Sequence, residues 1–528
     1  MQAECSRSVT YFGEHFEYVA MTMRPYNKFI LMNANEDVLN IVDKVVAEIN
    51  KAWYGSQRIC MLKHNYHGTF HGNFCIKLPG TPFSLYTGKE SATIGKVFIS
   101  RIFEEMDKLG YEFVTCSELA QRVDNGTLIF KKYHDGKERE NRPVLCIAPG
   151  GNDKISLVRC PKNVESAIKD AIARTMTYGL QSYDTEQILG ALVTKIKFRG
   201  CPWIKFLWNS VECRKLIVIL VENLERLNWK FHAAVNIKGN ADALFFMYHS
   251  DIITSKNLGI LSLNGKNRLR LIRFENDSQI IQAMIRSLTQ TTGLQPKMKS
   301  HYGSTEFKVS GDPFYTFSGH ESIRCREMIA DTIKVFRENG YEVVTGLDIK
   351  EGNTVRNKSS ILLRKCDSSS DPHACISIHN KDKIRIINFP IETTGSLERV
   401  IQQYYYPGVQ AIKEKPSQTY CMQLKLKGYP WYSGKMGHGT HGKFVLLMLL
   451  REATRMNWEL VASLDLSSTP CIEYYHEDHP LDVDTWVFRY KGAQGNQTTG
   501  MSCPLMLGGC ECETSKSTSS ANCNTFPY

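Results

Sequence analysis

Four cations stand at one fixed distance from four structural residues. Lys96, Arg214, Arg326 and Lys443 each lie fourteen positions before Gly110, Asn228, Gly340 and Asn457. The spacing predicts that each cation falls in the first turn of a helix ended by that glycine or asparagine. A helix N-terminus favours anions by roughly 0.3–1 kcal/mol. A cation kept there in every copy could share a phosphate or carboxylate with the free helix N–H groups. A salt bridge inside the unit is the competing structural role.

The fourth cation ends a richer motif. Gly437-His438-Gly439-Thr440-His441-Gly442-Lys443 has the spacing of a phosphate-binding loop. Phe444 follows where Ser or Thr would hold Mg²⁺. Gly95-Lys96, Cys213-Arg214 and Cys325-Arg326 carry only fragments of the pattern. The reading is a flexible loop in which Gly437, Gly439, Gly442 and Lys443 gather an anion without catalysis.

Two histidine groups supply potential zinc donors: His64, His67 and His71, and His476-Glu477-Asp478-His479 near Cys471. Neither has the paired spacing of a zinc site, so both read as solvated loops. There is no Gly-x-Ser-x-Gly elbow and no dinucleotide glycine fingerprint. No catalytic residue, metal ligand or cofactor is therefore assigned. In the tail from Gly492, rich in Gly, Ser, Thr, Asn and Cys, Cys503, Cys510 and Cys512 are candidate palmitoylation sites beside Cys523. That tail, 492–528, is expected to be disordered.

These residues sit in four copies of one unit. Gly-x-Pro-aromatic occurs at Gly80–Phe83, Gly200–Trp203, Gly311–Phe314 and Gly428–Trp431, each followed by the helix-ending residue and an aromatic. Gly-x-Gln precedes each, at Gly55, Gly179, Gly293 and Gly408. Alternating strands lead into the Gly-x-Pro turn, where proline ends the ladder. Amphipathic helices follow, for example Val97-Ile99-Ile102-Phe103-Met106. Each unit reads as ββαβαββ: a mostly antiparallel five-stranded sheet with two helices on one face, an α+β fold. The copies are placed at 14–133, 142–248, 256–366 and 373–491. Each is long enough for an independent core.

The chain has 528 residues, 42% hydrophobic and 23% charged, with a net charge of +11. This is globular composition with a mild basic excess. The apolar runs are too short to span a bilayer and no signal segment is evident. A cytoplasmic location is expected, peripheral at a membrane if the tail is acylated. Seventeen cysteines, mostly single and in apolar segments, read as buried thiols. The functional expectation is a non-catalytic tandem-repeat adaptor for a protein partner, with anionic membrane contact as a second ligand class. The alternatives are an enzyme with an anion site in the fourth unit, and an RNA-binding protein.

Overall fold

The Gly-x-Pro-aromatic turn is the local feature that organises each unit. Gly80, Gly200, Gly311 and Gly428 have φ of 68°, 77°, 71° and 76°, a left-handed conformation that glycine enters without steric penalty. The aromatic N–H then donates to a carbonyl of the first hairpin: Phe83 to Tyr26 (3.0 Å), Trp203 to Asn152 (3.2 Å), Phe314 to Lys266 (2.9 Å) and Trp431 to Lys381 (3.2 Å). The helix enders behave as their types require. Gly110, Asn228, Gly340 and Asn457 have φ of 82°, 65°, 75° and 62°.

The computed structural model describes residues 17–54, 64–65, 74–119, 124–133, 139–203, 209–239, 241–251, 257–315, 319–349, 359–415, 420–431, 436–466 and 482–492. Module 1 contains β1 (Tyr18–Arg24), β2 (Lys28–Met32), α1 (Glu36–Tyr54), β3 (His64–Asn65), β4 (Phe74–Lys77), α2 (Lys89–Lys108), β5 (Tyr111–Ser117) and β6 (Thr127–Lys132). Module 2 contains β7 (Val144–Gly150), β8 (Lys154–Val158), α3 (Lys162–Thr175), β9 (Leu180–Ile188), β10 (Ala191–Phe198), α4 (Asn209–Arg226), β11 (Trp229–Val235) and β12 (Ala243–Tyr248). Module 3 contains β13 (Leu258–Asn264), β14 (Arg268–Ile272), α5 (Ser278–Thr292), β15 (Lys297–Ser300), β16 (Thr305–Lys308), α6 (Gly319–Glu338), β17 (Tyr341–Leu347) and β18 (Ser360–Lys365). Module 4 contains β19 (His373–His379), β20 (Lys383–Ile387), α7 (Ile391–Tyr404), β21 (Val409–Glu414), β22 (Cys421–Leu426), α8 (Met436–Arg455), β23 (Trp458–Leu464) and β24 (Asp482–Tyr490).

The fold is α+β, four tandem antiparallel sheets with two helices each. Every sheet has the order seen in the first, β3-β4-β2-β1-β6-β5. One strand more than expected is present per module: β3, β9, β15 or β21, an outer edge strand. Leu180–Ile188 is almost wholly exposed, so it carries no hydrophobic alternation from which to read it.

The expectation of independent cores does not hold. Each sheet buries both faces, one under its own helices and the other under a helix of the preceding module. Val144, Cys146, Ala148 and Val158 of module 2 belong to the cluster containing Ile94, Phe98 and Ile102 of α2. Leu258 and Ile260 join the core of module 2, and Cys375 and Val487 that of module 3. Tyr18, Ala20, Ile30 and Ile129 of module 1 complete the core of module 4 against α8. The last module thus packs on the first as the inner modules pack on one another. The inner edge strands β5, β11, β17 and β23 touch in the same cyclic order. The described residues between 17 and 492 form a closed ring with pseudo-fourfold symmetry.

Candidate functional site

The four cations occupy equivalent places, but not the first helical turn. Lys96, Arg326 and Lys443 are the eighth residues of α2, α6 and α8, and Arg214 is the sixth of α4. The helices start earlier than the Gly/Asn spacing implied. This carries each cation into the joint with the following module.

Arg214 Nε donates to Ser360 Oγ at 3.0 Å and Nη1 to the Ser210 carbonyl at 2.7 Å. Arg326 is fully buried. Its Nε donates to Ser377 Oγ at 2.9 Å, and its Nη1 to the Ser322 carbonyl and hydroxyl at 2.9 and 2.7 Å. Lys443 Nζ donates to Thr22 Oγ1 at 3.2 Å and pairs with Asp124, which also accepts from Arg24 Nε at 2.7 Å. Burial lowers the Lys443 pKa, and Asp124 opposes that shift. Three of the four cations thus donate across a joint.

Lys96 differs. Ala148 and Ala243 of module 2 stand at the register positions where module 1 has Thr22 and Thr127 and module 3 has Ser262 and Ser360. No hydroxyl is offered there. Burial lowers the Lys96 pKa, and Lys195 adds to the effect. Lys238 is likewise pushed down to about 8, by burial and then by the Lys96 charge.

The glycine-rich stretch is not a loop. Residues 436–455 are helix α8, which places Gly437, Gly439, Gly442 and Lys443 within it. A Cβ on Gly442 would lie 2.8 Å from the Trp431 ring and 2.9 Å from Pro430 Cβ. One on Gly95 would lie 3.0 Å from the Pro82 carbonyl oxygen. Cys213, at the same place in module 2, donates its thiol to the Pro202 carbonyl at 2.9 Å. A small residue precedes each cation because the helix passes under the Gly-x-Pro turn. Packing accounts for the apparent phosphate-loop spacing.

The ring axis carries a carboxylate cluster that the sequence reading missed. The residue after each inner strand is Glu118, Asn236, Asp348 or Asp465, eight positions beyond the helix-ending residue every time. That constant spacing was its available signal. At the start of the following strand lie Gly126, Asp242, Ser359 and Asp484. Backbone N–H groups link these positions around the whole ring: Gly126 to the Asn236 carbonyl (2.8 Å), Asp242 to Asp348 (2.9 Å), Ser359 to Asp465 (3.2 Å) and Asp484 to Glu118 (3.3 Å). Burial, then the charges of the other axial carboxylates, raises Glu118 and Asp242 well above the ordinary range. Asp348 is raised to about 7 by burial and by Asp484. Yet among the described residues no three His, Cys, Asp or Glu side chains converge closely enough to hold a metal ion. The acids repel one another across the axis without enclosing a common point.

A recess of about 420 Å³ opens at the joint between modules 1 and 2, lined by Val97, Arg101, Arg159, Cys160 and Leu189–Leu192. Its arginines are engaged: Arg101 by Glu48, Glu104 and Glu105, and Arg159 by Glu104 at 2.7 Å. The side chains of His64, His67 and His71, the segment Cys471–His479 and the tail with Cys503, Cys510 and Cys512 lie outside the described residues. No described helix is long and apolar enough to cross a membrane.

Comparison with known proteins returns no match among curated proteins and none among solved structures. One family model, described only as a domain and with no activity attached, matches residues 17–131, 143–251, 257–364 and 372–489. These four stretches span the sheets, the helices between them and the cations at the joints, and the chain belongs to that family of repeated domains.

Proposed function

We propose that the chain is a non-catalytic binding protein, a ring of joined modules that engages a protein partner on its outer strand edges. Most features that recur in the modules are used in folding and joining: the turn glycines, the helix enders, three of the four buried cations and the axial hydrogen bonds. The supporting observation is what remains at the periphery. Each of the edge strands β9, β15 and β21 exposes a large apolar side chain: Tyr183 at 59%, Met298 at 53% and Ile412 at 40%. An unpaired strand edge offers backbone N–H and C=O groups to an added strand, and side chains beside it supply selectivity. The three edges differ in sequence, LQSYDTEQI, KMKS and VQAIKE, so each would select its own segment.

Photo-crosslinking residues introduced singly at 183, 298 and 412 in the full chain test this. The expected result is an adduct with a defined protein at one edge, weakened when lysine replaces Ser182 or Asp184 beside it. Absence of adducts at all three edges, or the same background at each, would overturn the reading.

A further inference from the structure

A like-charged pair recurs at one register position in all four sheets. Lys28 lies directly opposite Lys77, Lys154 opposite Lys197, Arg268 opposite Lys308, and Lys383 opposite Lys425. Directly opposed like charges destabilise a sheet. Nearby carboxylates neutralise them only partly: Asp153 lies 3.7 Å from Lys197, Glu306 3.8 Å from Arg268 and Asp382 3.9 Å from Lys425. The second cation always sits three residues before the turn glycine, and the first opens the second strand of its module. Neither cation of a pair takes part in the bonds across the joints described above.

The four pairs lie at one end of the ring. Asn125 N–H donates to the Met23 carbonyl at 2.8 Å, so the axial residues and the first hairpin turn share an end of the sheet. Positions related by fourfold rotation lie in one plane normal to the axis. Exposed tyrosines crowd the same end: Tyr26 in that turn at 67%, Tyr86 just beyond Phe83 at 91%, and Tyr429 within the motif of module 4 at 59%. Tyr406, at 77%, precedes Gly408, whose carbonyl accepts from Lys427 at 2.9 Å beside the last cation pair.

The geometry points to this end of the ring as a docking face for an anionic phospholipid bilayer, with the four cation pairs on headgroup phosphates and the tyrosines in the interfacial layer. A flat surface meets four coplanar pairs at once, and linked weak contacts gain avidity. A nucleic acid strand would have to circle the rim to do so. Tyrosine suits the membrane interface, having an apolar ring and a polar tip. The net charge of +11 favours approach to anionic lipid. This inference is independent of the protein-partner reading and survives its failure.

The test is sedimentation of the unacylated full chain with phosphatidylcholine vesicles, with and without phosphatidylserine. Binding is expected only with phosphatidylserine and should fall steeply with salt. Each of Lys77→Glu, Lys197→Glu, Lys308→Glu and Lys425→Glu should weaken it about fivefold or more, and the quadruple variant by at least about two orders of magnitude. Tyr86→Ser should weaken it without changing the salt slope. Lys108→Glu and Lys230→Glu, at the opposite end, should leave it unchanged, and all variants should keep the parent circular dichroism and Tm. Binding insensitive to the four substitutions, or equal loss from the opposite-end controls, would overturn the inference. So would tight binding to single-stranded RNA without binding to vesicles.

Discussion

The Glu118 N–H donates to Asp484 Oδ2 at 2.8 Å across 366 residues of sequence. Asp484 N–H returns a bond to the Glu118 carbonyl at 3.3 Å. The same reciprocal exchange joins Asp348 to Asp242, with the side-chain acceptor at 2.6 Å, and Asp465 to Ser359 at 2.8 Å. Among the described residues, the joint between modules 1 and 2 alone lacks the side-chain half, because Gly126 stands there. The bond closing the ring is therefore of the same kind as two of the three joints within the chain.

The closing joint also holds the Lys443–Asp124–Arg24 cluster, with Lys443 and Asp124 side chains 4% and 2% exposed. Asp124→Ala strands two cations in the joint and is expected to cost about 3 kcal/mol or more. Adding Lys443→Met removes the worse-placed charge and should restore part of the loss. Urea unfolding of the two variants checks this. If Asp124→Ala alone proves neutral, the cluster does not hold modules 4 and 1 together.

Asp348 sets a pH dependence of unusual sign. Its folded pKa of about 7 exceeds the ordinary 3.8. Glu118 and Asp242 move the same way. Between those limits the folded ring holds protons that the unfolded chain releases, so stability is full at the low end and declines as pH rises towards 7. Asp348→Asn keeps an oxygen for the Ser359 hydroxyl, now at 3.1 Å, and has no charge to bury. Near pH 8 it should raise Tm and stabilise by roughly 1–3 kcal/mol, with little effect near pH 5. A gain that is the same at both pH values would show that the Asp348 charge is not its source.

Local stereochemistry was legible from residue types. Gly and Asn at the helix ends and Gly-x-Pro-aromatic turns demand particular φ values, and a chain with four such sets announces four modules. The joints were not legible in the same way. Ser360 meets Arg214 and Thr22 meets Lys443 only because consecutive modules stack and the last meets the first; nothing local to those residues states it. The second apolar face of each sheet was visible in runs such as Leu258–Leu263, buried throughout. An alternating strand would have suited a sheet with one wet face, whereas a continuous apolar run fits one covered on both. The axial acids and the opposed lysines recur at constant offsets, eight after the helix ender and three before the turn glycine. A charged residue demands no particular φ and leaves no apolar periodicity, so the constant offset is the one local mark these positions carry.

Shared cores make the ring, rather than the module, the folding unit. A fragment of residues 142–248 would expose the apolar face formed by Val144, Cys146, Ala148 and Val158, which α2 covers in the ring. That fragment is expected to self-associate or bind a dye for exposed apolar surface, whereas residues 17–492 remain monomeric and unfold in one transition. Scattering and dye fluorescence on both proteins decide it. A monomeric, cooperatively folded module 2 would mean that its face needs no neighbour.

Gly442 separates packing from anion capture as the reason for the glycine-rich stretch. Its Cβ position collides with the Trp431 ring and Pro430, both on a turn pinned by the Trp431 N–H bond to Lys381. Neither contact is the free end of a flexible chain, so Gly442→Ala must push the helix off the turn. A loss of about 1–3 kcal/mol is expected from overpacking, despite the better helix propensity of alanine. Gly395→Ala is the matched control: that position lies inside α7 with nothing within 4 Å of an added Cβ, so its change should follow helix propensity and stabilise by up to about 1 kcal/mol. Added phosphate separates the two roles. If the glycines serve packing, phosphate shifts the Tm of parent and Gly442→Ala alike; if they gather an anion, it stabilises the parent alone.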